Sequence, residues 1–120
     1  QRMKRDIVKI NVYFVTITGD NVRMTYWEIA NLFNVVPASV NRAIKRMFKE
    51  GVLSEFEHSR YIRLPNGNYV YVYSLDVVVA MSFRFSTHYT AVFRKWLVDK
   101  AKEQHPPVFI SFQLKDVYGC

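Results

Sequence analysis

Arg42, Lys45, Arg46 and Lys49 place four cations within eight positions, and no acid interrupts them before Glu50. Asn41, Ser39 and Ala38 stand beside them. Arginine can grip guanine through two parallel hydrogen bonds, and asparagine can do the same for adenine. Asn41 and Arg42 are therefore the candidate base readers. Ala38 and Ser39 lie where the first turn of a helix would enter a groove. Lys45, Arg46 and Lys49 suit phosphates, which supply affinity without sequence information. The plain alternative is a solvated basic face on a helical hairpin.

The elements that must position these residues are legible around them. Thr25 reads as an N-cap with Glu28 three residues on, the pattern of a capping box. Ile29, Ala30, Leu32 and Phe33 then form an apolar face. Asn34-Val35-Val36 breaks the run, and Pro37 stands where a first helical residue tolerates proline. Val40, Ile44, Met47 and Phe48 recur at helical steps, so 37–49 is an amphipathic helix whose other face is basic. Two short helices with a tight turn and a basic second helix make a helix-turn-helix pattern, with helix 37–49 as the candidate occupant of a DNA major groove.

Downstream, Glu50-Gly51 supplies a helix stop, and Val52 and Leu53 are expected to tuck under the helix end. Glu55-Phe56-Glu57-His58 has no clear element. Residues 59–64 and Tyr69–Tyr73 are strand-like runs around Pro65-Asn66-Gly67-Asn68, a strong hairpin signal. A hairpin directly after such a helix is the layout of a wing, here residues 60–73. Arg60 and Arg63 flank one limb, and Asn66 and Asn68 sit at the tip. Tyr69, Tyr71 and Tyr73 share one strand face. Exposed together, they would be a platform for unpaired bases; more commonly such a ladder packs a sheet face on helices.

Ser74 is the expected cap of an apolar helix over 75–83, with Asp76 in its first turn; a buried strand is the alternative. Thr87 is expected to cap a helix from His88 to about Glu103, with Tyr89, Val92, Phe93, Trp96, Leu97 and Ala101 on one face. Arg84, Arg94 and Lys95 read as ordinary surface charge or as partners of Asp76 or Asp99. At the other end, Ile7–Thr18 is β-branched and aromatic. With a turn at Gly19-Asp20-Asn21 and a return strand at Val22–Met24, it predicts a hairpin leading into Thr25; a single edge strand is the alternative. Residues 106–120 read as a tail, arm or linker after Pro106-Pro107.

Composition sets the outer bounds. The chain has 120 residues, 50% hydrophobic and 22% charged, which is the balance of one folded domain spanning about 1–105. Net charge is +7, which favours a polyanionic partner. The single cysteine, Cys120, allows no internal disulfide, in keeping with a cytoplasmic setting. No apolar run is long enough to span a bilayer, so no membrane partner is expected. An initial Gln in place of Met is what a piece of a longer chain would show. His58, His88 and His105 lack metal-ligand spacing, and there is no glycine-rich phosphate loop. Neither an enzyme nor a bound cofactor or metal is expected.

The stretch TYWEIANLFNVVPASVNRAIKRMFKEGVL, followed by YVYSLDVVVAMSFRFSTHYTAVFRKWLVDK, resembles the RhuM family of virulence-associated proteins, also found on phages and mobile elements. The resemblance rests on the threonine-led start ending in Ala30-Asn31-Leu32-Phe33-Asn34-Val35. It rests further on Tyr73-Ser74-Leu75-Asp76, Phe83-Arg84-Phe85-Ser86 and Phe93-Arg94-Lys95-Trp96, and covers roughly residues 7–103. Asn34 stands where the family usually has glycine, and Val36 where it usually has serine. The resemblance implies a DNA-associated role on a mobile element.

Together these features predict an α+β, winged helix-turn-helix fold with an N-terminal β-hairpin and two C-terminal helices. The expected function is sequence-specific binding of double-stranded DNA by a transcriptional regulator. Helix-turn-helix proteins commonly work as homodimers, for which helix 88–103 or the tail are the candidate elements. The alternative is a protein-interaction module of a mobile-element or toxin-type system.

Overall fold

The computed structural model describes residues 5–104. Among these residues the fold is α+β, with two antiparallel hairpins and five helices. Their order is β1 (Val8–Ile10), β2 (Val15–Ile17), α1 (Tyr26–Phe33), α2 (Pro37–Lys49), α3 (Glu55–His58), β3 (Ser59–Arg63), β4 (Tyr69–Tyr73), α4 (Leu75–Arg84) and α5 (His88–Gln104). The expected tail at 106–120 lies outside the described residues.

Helix α1 starts as the capping box demands. Thr25 Oγ1 accepts from the Glu28 N–H at 3.1 Å, and Glu28 Oε1 accepts from the Thr25 N–H at 2.8 Å. It ends at Asn34, whose φ of 57° lies in the left-handed region. The Val35 N–H then reaches back to the Ala30 carbonyl, a six-to-one closure of the helix end. Asparagine adopts this conformation more readily than other side-chain-bearing residues, so Asn34 does here what a glycine would. Pro37 opens α2 at N1, and no side chain caps it.

The far end of α2 closes on Gly51, at φ +79°. The Gly51 N–H bonds the Phe48 carbonyl and the Val52 N–H bonds the Met47 carbonyl. This is a Schellman closure. Leu53 packs against the core, but Val52 points to solvent, contrary to the expectation that both tuck under. The helix-end geometry turns its side chain outward.

Four helices share one core. Ile29, Ala30 and Phe33 of α1 meet Val40, Ile44 and Met47 of α2, Val77, Val78 and Met81 of α4, and Phe93 of α5. Phe33 and Phe93 meet edge to face, with centroids 5.6 Å apart, an arrangement favoured by the ring quadrupole. Thr87 and Thr90 exchange hydrogen bonds at the start of α5, and Thr87 Oγ1 also donates to the Phe33 carbonyl at 2.8 Å. The expected cap is thus also a tie to the end of α1. Residues 75–84 are helical as expected, but Phe83 is exposed. Ser74 makes no side-chain cap; its hydroxyl instead meets His58 Nδ1 at 2.9 Å.

The N-terminal hairpin forms with a different turn from the expected one. Val8–Ile10 pairs with Val15–Ile17, and the chain reverses at Asn11–Phe14. Asn11 Oδ1 accepts from the Val12 N–H at 2.7 Å, and Asn11 and Phe14 exchange backbone hydrogen bonds. An asparagine inside an apolar run offers its own turn through such side-chain-to-backbone bonding. Asp20 and Asn21 lie in a loop gathered by Asp6, whose carboxylate accepts from the Asn21 N–H. Val22 and Met24 make isolated bridges, to Asp6 and to Tyr73.

Gly51 has open space around the position of an added Cβ, so backbone strain alone decides its replacement. Gly51→Ala should lower unfolding free energy by about 1–2 kcal/mol, with an unchanged m-value in urea titration.

Candidate functional site

The basic face of α2 and the β3–β4 hairpin form one surface. Val40, Ile44 and Met47 are fully buried, which fixes the roll of α2 on the core. With the helical repeat, Ala38, Arg42, Lys45 and Lys49 then fall on the outward crest. All four are exposed, as is Arg46 on one flank. Ser39 is half-buried on the same flank and accepts from Arg42 Nη2 at 3.3 Å. Asn41 is half-buried on the opposite flank, toward the hairpin.

The hairpin is held to this helix pair by backbone. Met24 and Tyr73 exchange N–H···O bonds of 3.0 and 2.8 Å, so the residue before the α1 cap is paired to the last residue of β4. At the hairpin base the Ser74 N–H also bonds the His58 carbonyl. At the tip the Gly67 N–H bonds the Leu64 carbonyl, with Pro65 and Asn66 between and Gly67 at φ +92°. Asn66 Oδ1 accepts from the Asn68 N–H at 2.9 Å, so the Asn66 carbonyl group shapes the tip.

The register pairs Tyr61 with Tyr71, Arg63 with Tyr69, and Arg60 with Val72. Arg63 therefore shares a face with the tyrosines, and Arg60 lies on the opposite face with Ile62. The two arginines of the limb do not act on one surface. The tyrosine ladder also divides. Tyr73 is 6% exposed and packs near Phe48, whereas Tyr69 and Tyr71 are 54% and 50% exposed. Neither reading of the ladder holds whole: the three tyrosines are not exposed together, and packing on helices holds only at the hairpin base, because the strands run past the helices toward the tip. Tyr61, 61% exposed, joins the outer pair, with centroids 5.2 Å from Tyr69 and 4.8 Å from Tyr71. Sequence reading missed Tyr61; hairpin register would have found it opposite Tyr71.

Between hairpin and helices lies a groove of about 300 Å³, lined on the helix side by Tyr26, Trp27, Asn41 and Lys45. Tyr26 and Trp27 are neighbours at 4.9 Å.

Charge is distributed unevenly. Among the described residues, Glu28 pairs with Arg5, Glu50 with Arg84, Asp99 with Lys95 and Glu103 with Lys100. Arg94 is absorbed by the Ser82 and Phe85 carbonyls and lies over the Phe83 ring. The second cationic group is thus ordinary pairing, with Glu50 rather than Asp76 or Asp99 serving Arg84. None of Arg42, Lys45, Arg46 or Lys49 is in an ion pair among the described residues, which leaves a positive ridge able to meet a polyanion. Burial raises the Tyr73 phenol above its usual range, reinforced by Glu55. Among the described residues no group of three His, Cys, Asp or Glu side chains could hold a metal ion, and no helix is long and apolar enough to cross a membrane.

Burial pushes the Glu28 carboxyl up, but the Arg5 guanidinium, at 2.6 and 2.9 Å, and the Thr25 N–H outweigh it, so the net shift is downward. A depressed folded pKa contributes stability above the unfolded carboxyl value and loses it as pH falls through the folded value. Glu28→Gln should cost on the order of 1 kcal/mol at neutral pH, allowing for solvent screening. The gap between variant and parent should close below about pH 4, as read by urea titration at a series of pH values.

Comparison with known proteins adds no further member to set beside this surface: no family model, curated protein or solved structure matches the chain.

Proposed function

We propose that the chain is a sequence-specific binder of double-stranded DNA, a transcriptional regulator of a phage or mobile element built as a winged helix-turn-helix. The observation that carries this is the unpaired basic crest of α2, which no carboxylate neutralises among the described residues. Helix α2 enters the major groove. Its first turn, with Ala38 and Ser39, and the adjacent Asn41 and Arg42 meet base edges. Lys45, Arg46 and Lys49 meet phosphates. The β3–β4 hairpin serves as the wing, bringing Arg63, Asn66 and Asn68 to the backbone beside the groove, with Arg60 on its outer face. Two copies reading two half-sites follow the usual symmetry of such proteins. The mobile-element setting rests on the resemblance to the RhuM family.

Electrophoretic retention and fluorescence anisotropy on a duplex selected from a random library test this directly. Neutralising four to six phosphates predicts a log K that falls by roughly 4–5 units per tenfold increase in salt. Arg42→Ala should relax discrimination at one base position by about 1–3 kcal/mol. Lys49→Ala should weaken all duplexes alike and flatten the salt slope by about one unit. If both variants bind selected and random duplexes as the parent does, α2 is not the reading helix.

A further inference from the structure

The groove between α2 and the hairpin has walls that a duplex on the α2 crest does not require. Tyr61, Tyr69, Tyr71 and Trp27 each keep half or more of their surface in solvent. They converge on one groove together with Tyr26. A contiguous aromatic surface in water marks an interaction site. Tyr61 and Tyr69 lie nearly parallel, at 14° between planes, and Tyr71 is tilted by 47° against Tyr61. Tyr61 and Tyr69 stack on one another, and the ring faces that this leaves in solvent take planar rings by stacking.

The polar groups in the lining narrow the ligand. Asn41 offers both a donor pair and an acceptor, the complement of a base edge. Lys45 offers a full positive charge with no ion-pair partner among the described residues, the complement of a phosphate. Among the described residues no carboxylate lines the groove. Planar ring, hydrogen-bonding edge and negative charge together describe an unpaired nucleotide. A proline-rich peptide would suit the tyrosines and Trp27 but brings no anion to Lys45 and no base edge to Asn41.

We infer that this groove binds unpaired nucleotides of a DNA strand, stacked against Tyr61, Tyr69 and Tyr71, with Asn41 at the base edge and Lys45 at the phosphate. The inference shares Asn41 and Lys45 with the duplex reading and rests on it for the identity of the strand as DNA. On a duplex with a single-stranded extension, Asn41 and Lys45 turn to the unpaired strand in the groove, while Ala38, Ser39, Arg42, Arg46 and Lys49 keep the paired part on the rest of the α2 crest.

Anisotropy of the full chain with three labelled probes tests this: a blunt duplex, the same duplex with oligothymidine tails, and oligothymidine alone. The tailed duplex should bind about tenfold tighter than the blunt one. Tyr71→Ser should remove that gain and leave blunt-duplex binding unchanged, while Tyr71→Phe should keep it, since stacking needs the ring and not the hydroxyl. Thermal melting of each variant checks that the fold is retained. Equal binding of tailed and blunt duplexes, unmoved by Tyr71→Ser, would overturn the groove assignment and leave the duplex reading standing. Binding of oligothymidine that Tyr71→Ser abolishes, with no binding of blunt duplex, would sink the duplex reading and keep the groove. Preference for oligouridine over oligothymidine, or a change in the tryptophan fluorescence of a Trp96→Phe chain with a proline-rich peptide and none with oligothymidine, would each reject unpaired DNA as the occupant.

Discussion

The paired backbone bonds between Met24 and Tyr73 set the geometry on which the candidate surface depends. They join two parts of the chain that local rules cannot relate. Met24 is buried and immediately precedes the Thr25 cap, so it fixes where α1 begins. Tyr73 is the last residue of β4 and immediately precedes Ser74 and α4. Two ladder bonds at this point lock the base of the hairpin to the start of the helix pair. Both members are buried, so the bonds are shielded from competing water. A hairpin so anchored stands beside α2 as a fixed wall, and the groove between them is a consequence.

From that anchor the roles of the neighbouring residues follow. The buried stripe of α2 determines its roll, and the roll brings the cations outward. Arg5 and Arg84 occupy Glu28 and Glu50, the two acids nearest in sequence to the ends of the helix pair. The positive ridge is therefore a product of pairing elsewhere as much as of its own residues. Net charge alone did not require this, since the same excess of cations could have been spread evenly.

The tyrosines show how position along a hairpin decides chemistry. Tyr69, Tyr71 and Tyr73 have the same parity and the same residue type, yet Tyr73 is core and the other two are surface. The helices reach only as far as the hairpin base. Beyond it the same strand face looks across an open groove, where Tyr61 from β3 completes the aromatic wall.

Much was determined locally, in the sequence by itself. Thr25 with Glu28, Pro37 after Asn34-Val35-Val36, Gly51 after Glu50, and Pro65-Asn66-Gly67-Asn68 each placed a boundary, because caps and turns are short-range hydrogen-bond chemistry. The apolar stripes of α1 and α2 were legible for the same reason, periodicity being a property of one segment. The turn at Asn11 escaped because a single asparagine in a β-branched run competes with a stronger-looking signal at Gly19-Asp20-Asn21. Only tertiary structure decided the rest: that Ser74 serves His58 instead of capping α4, that Arg84 turns to Glu50, and that exposed tyrosines and Trp27 wall a groove beside Asn41 and Lys45. These are contacts between residues distant in the chain, and no local period or propensity encodes them.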